Sequence, residues 1–122
     1  MSNSSILYVE DNDDLRESIA MVLEAPDREI GLCVTAEEAL AAFEGREWDL
    51  LITDVGLPGG MNGRQVADAA RLARPQLKVL FVTGFAENAA VGNGHLDVGM
   101  EVMTKPFAMV ALGEKVREMI ER

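Results

Sequence analysis

Cysteine, basic residues and long apolar runs are all scarce in this chain of 122 residues. The single cysteine, Cys33, excludes an internal disulfide, and its apolar context "IGLCV" predicts a core position. No stretch approaches the roughly 20 apolar residues of a membrane span, so membrane insertion is not expected. The N-terminus also lacks the basic and apolar regions of a signal peptide. We therefore expect a cytoplasmic protein.

Acidic residues dominate the charged side chains. Lys and Arg number 11 against 21 Asp and Glu, which gives a formal net charge of -10. Such a chain repels nucleic acid and anionic membranes, so direct nucleic-acid binding is not expected. The length suits one domain, and we predict a single domain over residues 1–122.

Short apolar runs alternate with helical patterns along the whole chain. Each of five runs rich in β-forming residues precedes a segment whose apolar residues recur at helical spacing. This alternation predicts a doubly wound, flavodoxin-like (βα)5 fold with a five-stranded parallel sheet in the order 2-1-3-4-5. The runs are "SILYVE" (5–10), "EIGLCV" (29–34), "DLLIT" (49–53), "LKVLFV" (77–82) and "EVM" (101–103).

The fourth helical segment is the weakest of the five. Residues 84–99 contain four glycines, and each glycine inside a helix costs about 1 kcal/mol relative to alanine. We expect this helix to be short, mobile or partly unwound.

Three acids follow strands that the predicted order makes neighbours. Glu10 and Asp11 follow the first strand, and Asp54 follows the third. Two unit charges about 4 Å apart repel by roughly 4 kcal/mol at an effective dielectric near 20, so converging carboxylates need a counter-ion. A hard cation with oxygen ligands fits, and Mg²⁺ is favoured. The plainer alternative is that Glu10 and Asp11 only begin a solvated, acidic helix start.

Two further polar residues end strands at the same predicted edge. Thr83 closes the fourth strand and Lys105 follows the fifth. A carboxylate can act as a nucleophile toward phosphorus, while a hydroxyl, an ammonium and a metal stabilise phosphoryl oxygens. The group therefore suits a phosphoryl group on Asp54. Taken singly, Thr83 is an ordinary strand residue and Lys105 an ordinary surface lysine.

Four motifs in this order resemble those of the receiver domain of two-component response regulators, the CheY-like superfamily. They are "VEDN", "ITDVGLPGGMNG", "VLFVTG" and "TKPF", and the resemblance covers essentially the whole chain. The residues that carry it are Glu10, Asp11, Asp54, Pro58, Thr83, Lys105, Pro106 and Phe107.

The resemblance implies a phospho-acceptor in two-component or phosphorelay signalling. A sensor histidine kinase or a histidine phosphotransfer protein would transfer a phosphoryl group from its phosphohistidine to Asp54. Glu10, Asp11 and Asp54 would hold Mg²⁺ directly or through water, and Gly56 would offer its backbone carbonyl.

The same resemblance assigns roles to the remaining strand-end residues. Lys105 would pair with the phosphoryl group, Thr83 would shift toward it, and the peptide bond before Pro106 would be cis. Only self-phosphorylation and autodephosphorylation are implied, so no conventional enzyme class is expected.

Two positions depart from the family pattern. Many receivers carry an aromatic residue where this chain has Val102, which puts a threonine-aromatic switch in doubt. Glu10 stands where aspartate is commoner, and its longer side chain favours a water-mediated metal contact.

Two other classes of function would use some of the same residues. An aspartyl-phosphate phosphohydrolase would need a second acid two residues after its nucleophile, but that residue is Gly56. A phosphorylation-independent binding scaffold would keep the fold and lose the chemistry, and the presence of all the key groups argues against it. The chain could act as a stand-alone receiver or as the receiver of a longer chain such as a hybrid histidine kinase, and we expect the hybrid-kinase or phosphorelay arrangement.

Overall fold

The computed structural model describes residues 4–57, 59–84 and 96–121. Within these ranges, five parallel strands form one sheet in the order β2-β1-β3-β4-β5, so the predicted doubly wound sheet is confirmed. The strands are β1 (Ser4–Val9), β2 (Arg28–Cys33), β3 (Leu50–Asp54), β4 (Lys78–Thr83) and β5 (Met100–Thr104). The described helices are α1 (Asp13–Leu23), α2 (Ala36–Gly45), α3 (Gly63–Ala73) and α4 (Met109–Glu121).

The burial of each strand follows its place in the sheet. Every residue of the central strand β3 is buried, whereas the edge strand β2 leaves Leu32 exposed. A parallel strand covered by helices on both faces must be apolar on both faces, which explains the continuous apolar runs. Cys33 ends β2 and is buried, as predicted. Burial, and then the charge of Glu38, raise the pKa of the Cys33 thiol to about 11.

Two apolar clusters cover the two faces of the sheet. Successive side chains of a strand point to opposite faces. Leu7 and Val9 of β1 therefore join the cluster that includes α2 and α3, while Ile6 and Tyr8 join the cluster that includes α1 and α4. Because both clusters are closely packed, they hold the sheet rigidly between the helices. The strand ends therefore keep fixed positions relative to one another.

Side-chain caps begin three of the helices close to the ends of the strands before them. Asn12 accepts a hydrogen bond from the Leu15 amide at the start of α1, and Thr35 caps α2 in the same way. Asn62 and Gln65 form a reciprocal capping box at the start of α3. These caps satisfy amides that the first helical turn leaves unpaired, and they fix the loops at one edge of the sheet.

The predicted fourth helix lies mostly outside the described residues, as does Pro58 of the third motif. Residues 96–99 are described, and they form the turn into β5 rather than a helix. Gly99 has a φ of 87° there, a conformation that side chains with a Cβ rarely adopt. The predicted segment therefore does not extend as a helix to residue 99. Among the described residues, no helix is both long and apolar enough to cross a membrane.

Candidate functional site

The predicted site residues gather at the carboxyl edge of the sheet. Asp54 and Thr83 are the last residues of β3 and β4, while Glu10 and Lys105 directly follow β1 and β5. All five strands run in parallel, so their carboxyl ends meet at one edge. The register pairs Asp54 with Val82, one residue before Thr83. The sequence-based placement of these four residues is thus reproduced.

Asp54 is nearly buried and both of its carboxylate oxygens are engaged. Its exposed fraction is 6%, Lys105 Nζ donates to Oδ2 at 2.8 Å, and the Gly56 amide donates to Oδ1 at 3.1 Å. A hydrogen bond between charged groups is stronger than a neutral one. These two contacts therefore hold the side chain in one orientation.

The start of α3 packs directly against the backbone of Asp54. Gly63 donates its amide to the Val55 carbonyl at 2.9 Å. A Cβ at Gly63 would overlap the Asp54 carbonyl oxygen, so only glycine allows this approach. This close contact fixes the backbone that carries the Asp54 carboxylate.

Glu10 is the most deeply buried acid of the site, with an exposed fraction of 1%. The Asn12 amide donates to its Oε2 at 3.1 Å, and the Tyr8 hydroxyl donates to its Oε1 at 3.3 Å. Lys105 Nζ lies 3.7 Å from Oε1. Burial raises the pKa of Glu10 and the charge of Asp54 raises it further, while the Asn12 amide and Lys105 oppose the rise.

Asp11 completes a group of three carboxylates. Glu10, Asp11 and Asp54 can each place one oxygen within 4.8 Å of the others, and Asp11 is exposed. Among the described residues, these three carboxylates and the Lys105 ammonium, which lies near two of them, carry a combined formal charge of −2. Hard oxygen donors with excess negative charge fit a divalent cation such as Mg²⁺. The three residues therefore suit the predicted metal, and Asp11 leaves the cluster open to solvent on one side.

Thr83 and Lys105 are joined through the backbone as well as by position. The Lys105 amide donates to the Thr83 carbonyl at 2.8 Å, and the fully buried Thr83 side chain donates to the Gly84 carbonyl at 3.2 Å. The Lys105–Pro106 peptide bond is cis, as the resemblance implied. Val102, the position without an aromatic residue, packs partly buried against the cluster on the α2 and α3 face.

Sequence reasoning missed two residues that contact the site from beneath and beside it. Arg16 donates from Nη1 to the Glu10 carbonyl at 2.9 Å and from Nη2 to Asp13 at 2.6 Å. Tyr8 lies two residues before Glu10, and the strand period places both side chains on one face. Burial, and then the charge of Glu10, raise the pKa of Tyr8, so its hydroxyl keeps its proton and donates. The two-residue spacing of Tyr8 and Glu10 is the sequence signal that could have predicted their contact.

Comparison with known proteins identifies the family. The profile described as "Response regulator receiver domain" matches residues 6–117. The chain is 31% identical over 122 residues to the sensor kinase CckA of Brucella abortus, covering 98% of this chain and 13% of that protein. It is 29% identical to the response regulator receiver protein CpdR of the same organism, covering 94% of this chain and 95% of CpdR.

A solved structure agrees with the sequence relatives. A CheY-like receiver domain protein from Methanospirillum hungatei superposes with a TM-score of 0.84 at 31% identity, covering 98% of this chain and 95% of that one. The chain belongs to the response regulator receiver domain family of two-component signalling. This membership agrees with a phospho-acceptor role and does not favour the phosphorylation-independent scaffold.

Proposed function

We propose that Asp54 accepts a phosphoryl group from the phosphohistidine of a partner protein. The observation that carries the proposal is the setting of Asp54: a nearly buried carboxylate at a strand end, 2.8 Å from Lys105 Nζ and grouped with two further acids. A buried acid with a cationic partner and open access on one side suits nucleophilic attack on an anionic group. We also propose that residues 1–122 form a single receiver domain.

The transfer step is a displacement at phosphorus. A carboxylate oxygen of Asp54 forms the new O–P bond while the P–N bond to the donor imidazole breaks, and its electron pair returns to the ring nitrogen. Lys105 already contacts Oδ2 and would neutralise an oxygen of the arriving phosphoryl group. Thr83, one register position beyond Asp54 on the neighbouring strand, would supply its hydroxyl to another.

We assign the cation of this reaction to Glu10, Asp11 and Asp54, with the Gly56 carbonyl as a further ligand. When bound, Mg²⁺ supplies charge neutralisation for the phosphoryl oxygens as a Lewis acid. The support for this assignment is the donor set, three carboxylates with a formal excess charge of −2 after Lys105 is counted. The main task of these acids would be to hold the cation in place before the phosphohistidine donor arrives.

The partner we propose is a sensor histidine kinase or a histidine phosphotransfer protein in the cytoplasm. The relatives include a protein named a sensor kinase, of which the match spans 13%, and a receiver protein, of which it spans 95%. Whether the receiver is part of a kinase chain or a separate protein, Asp54 would receive the phosphoryl group from the same kind of donor, a phosphohistidine. The chemistry expected of the chain itself is limited to its own phosphorylation and dephosphorylation.

Intact-mass analysis tests the proposal. The protein is incubated with acetyl phosphate in Mg²⁺ or in EDTA, beside an Asp54→Asn variant. We expect one hydroxylamine-sensitive phosphoryl adduct on the wild type in Mg²⁺ and none in the other three samples. If the wild type gives no adduct with acetyl phosphate or with a phosphohistidine donor, the scaffold function becomes the better account.

A further inference from the structure

The only tyrosine of the chain lies beneath the acidic cluster. Tyr8 is fully buried in β1, and its ring packs in the apolar cluster on the α1 and α4 face. Its hydroxyl lies at the end of that cluster nearest the site and donates to Glu10 Oε1 at 3.3 Å. The transfer step proposed above gives Tyr8 no part, because Tyr8 touches neither Asp54 nor Lys105 in any hydrogen bond between the described residues.

Glu10 is held at both oxygens by groups of its own strand and loop. The Asn12 amide binds Oε2 at 3.1 Å and the Tyr8 hydroxyl binds Oε1. A glutamate has three rotatable side-chain bonds, and two donors on opposite oxygens remove most of that freedom. The carboxylate is thereby fixed toward Asp11 and Asp54 before a cation binds.

The length of the acid is essential to this contact. An aspartate at residue 10 would be one methylene shorter, and its oxygens would be drawn away from the ring of Tyr8. Tyr8 and Glu10 therefore form a matched pair, a buried hydroxyl and an acid long enough to reach it.

We propose that the Tyr8 hydroxyl is a positioning group that fixes the Glu10 carboxylate for the divalent cation. This inference rests on the cation site of the proposed function. Groups that orient metal ligands from outside the ligand set typically contribute 10- to 100-fold in affinity. Because the Asn12 amide still holds Oε2 when the hydroxyl is removed, we expect the lower end of that range.

The test measures Mg²⁺ affinity by titration of backbone amide shifts in nuclear magnetic resonance spectra. Tyr8→Phe keeps the ring and removes the hydroxyl, and we expect it to weaken Mg²⁺ binding about 10-fold. Ser5→Ala is the matched control, because it removes a hydroxyl-carboxylate hydrogen bond of the same 3.3 Å length, to Asp49, at the other end of β1. We expect Ser5→Ala to leave the affinity within twofold of wild type.

A double-mutant cycle separates positioning from a general effect on the fold. In a Glu10→Asp background the shorter acid should not reach the hydroxyl, so Tyr8→Phe should change Mg²⁺ affinity less than twofold. An equal loss in both backgrounds would overturn the inference, because the hydroxyl would then act on the fold rather than through Glu10.

The remaining outcomes separate this inference from the proposed function. If the wild type binds Mg²⁺ and Tyr8→Phe binds it equally well, the positioning role is wrong and the cation site stands. If the wild type shows no saturable Mg²⁺ binding, the cation site is wrong and the inference fails with it.

Discussion

Strand β3 has an aspartate at each end, and the two are held in different ways. Asp49, just before the strand, accepts hydrogen bonds from the Ser5 amide at 2.8 Å and the Ser5 hydroxyl at 3.3 Å. Arg74 lies 3.4 Å from it, and the Asp49 side chain is 44% exposed. Asp54, at the other end, is nearly buried and shares Lys105 with Glu10.

The difference lies in the balance of charge around each acid. Asp49 faces one arginine, so its charge is matched and its role is to join β1, β3 and the end of α3. Asp54 belongs to a cluster in which three carboxylates face one lysine. Uncompensated negative charge at the edge of a buried sheet costs free energy unless a cation binds there. Asp49 therefore supports the fold, whereas the surroundings of Asp54 suit the phosphoryl transfer that we propose.

The largest effect should come from neutralising Asp54 and Asp49 in two separate variants. Asp54→Asn should abolish the phosphoryl adduct, whereas Asp49→Asn should keep the wild-type amount. We expect Asp49→Asn to lose only about 1 kcal/mol of unfolding free energy, because the half-exposed amide still accepts from Ser5. Intact mass and urea unfolding measure the two effects. Loss of the adduct in Asp49→Asn would remove the distinction between the two ends.

The next largest effect concerns packing around Asp54. Gly63→Ala should lower the free energy of unfolding by about 3 kcal/mol, because its Cβ would overlap the Asp54 carbonyl oxygen. Gly113→Ala in α4 is the matched control. Its Cβ would meet only Val22 Cγ1 at 3.4 Å, so helix propensity should raise stability by up to about 1 kcal/mol. Equal urea midpoints for the two variants would contradict the close contact.

A smaller effect is expected from Mg²⁺ on thermal unfolding. At ten times the dissociation constant, a cation that binds only the folded state adds about 1.4 kcal/mol. Asp49→Asn should keep this stabilisation, while Asp11→Asn should lose most of it, since it removes one of the three carboxylates. Calorimetric scans in EDTA and Mg²⁺ measure it. The same stabilisation in wild type and Asp11→Asn would place the cation elsewhere.

The smallest effect should be a pH dependence that belongs to Glu10. Its pKa is raised above the ordinary value of 4.5, chiefly by burial, so the folded state binds the proton more tightly than the unfolded state. In EDTA, this group's contribution to stability is therefore present near pH 4 and is lost as the pH rises through the folded pKa. Glu10→Gln should lack that contribution. Urea unfolding of both proteins gives the free energy of unfolding as a function of pH, and the difference between the two curves isolates the contribution of Glu10. Parallel curves from pH 4 to 8 would contradict this prediction.

Much of the site could be predicted because it depends on topology. Alternating strands and helices imply parallel strands, and parallel strands bring Asp54, Thr83 and Lys105 to one edge whatever their rotamers. The strand period puts Tyr8 and Glu10 on one face, but whether the Tyr8 hydroxyl reaches Glu10, and whether Arg16 contacts it, depends on side-chain conformation. The turn at residues 96–99 agrees with a short or partly unwound fourth helix, but its position could not be predicted, because glycine spacing indicates weak helix formation without indicating where a helix ends.

The measurement that tests the central claim most directly is identification of the phosphorylated carboxylate. After phosphorylation in Mg²⁺, borohydride reduction converts an acyl phosphate into an alcohol, and peptide mass spectrometry then locates the altered residue. We predict reduction at Asp54 alone, giving homoserine there, with Glu10, Asp11 and Asp49 unchanged. Reduction at Glu10 or Asp11 in place of Asp54 would contradict the account.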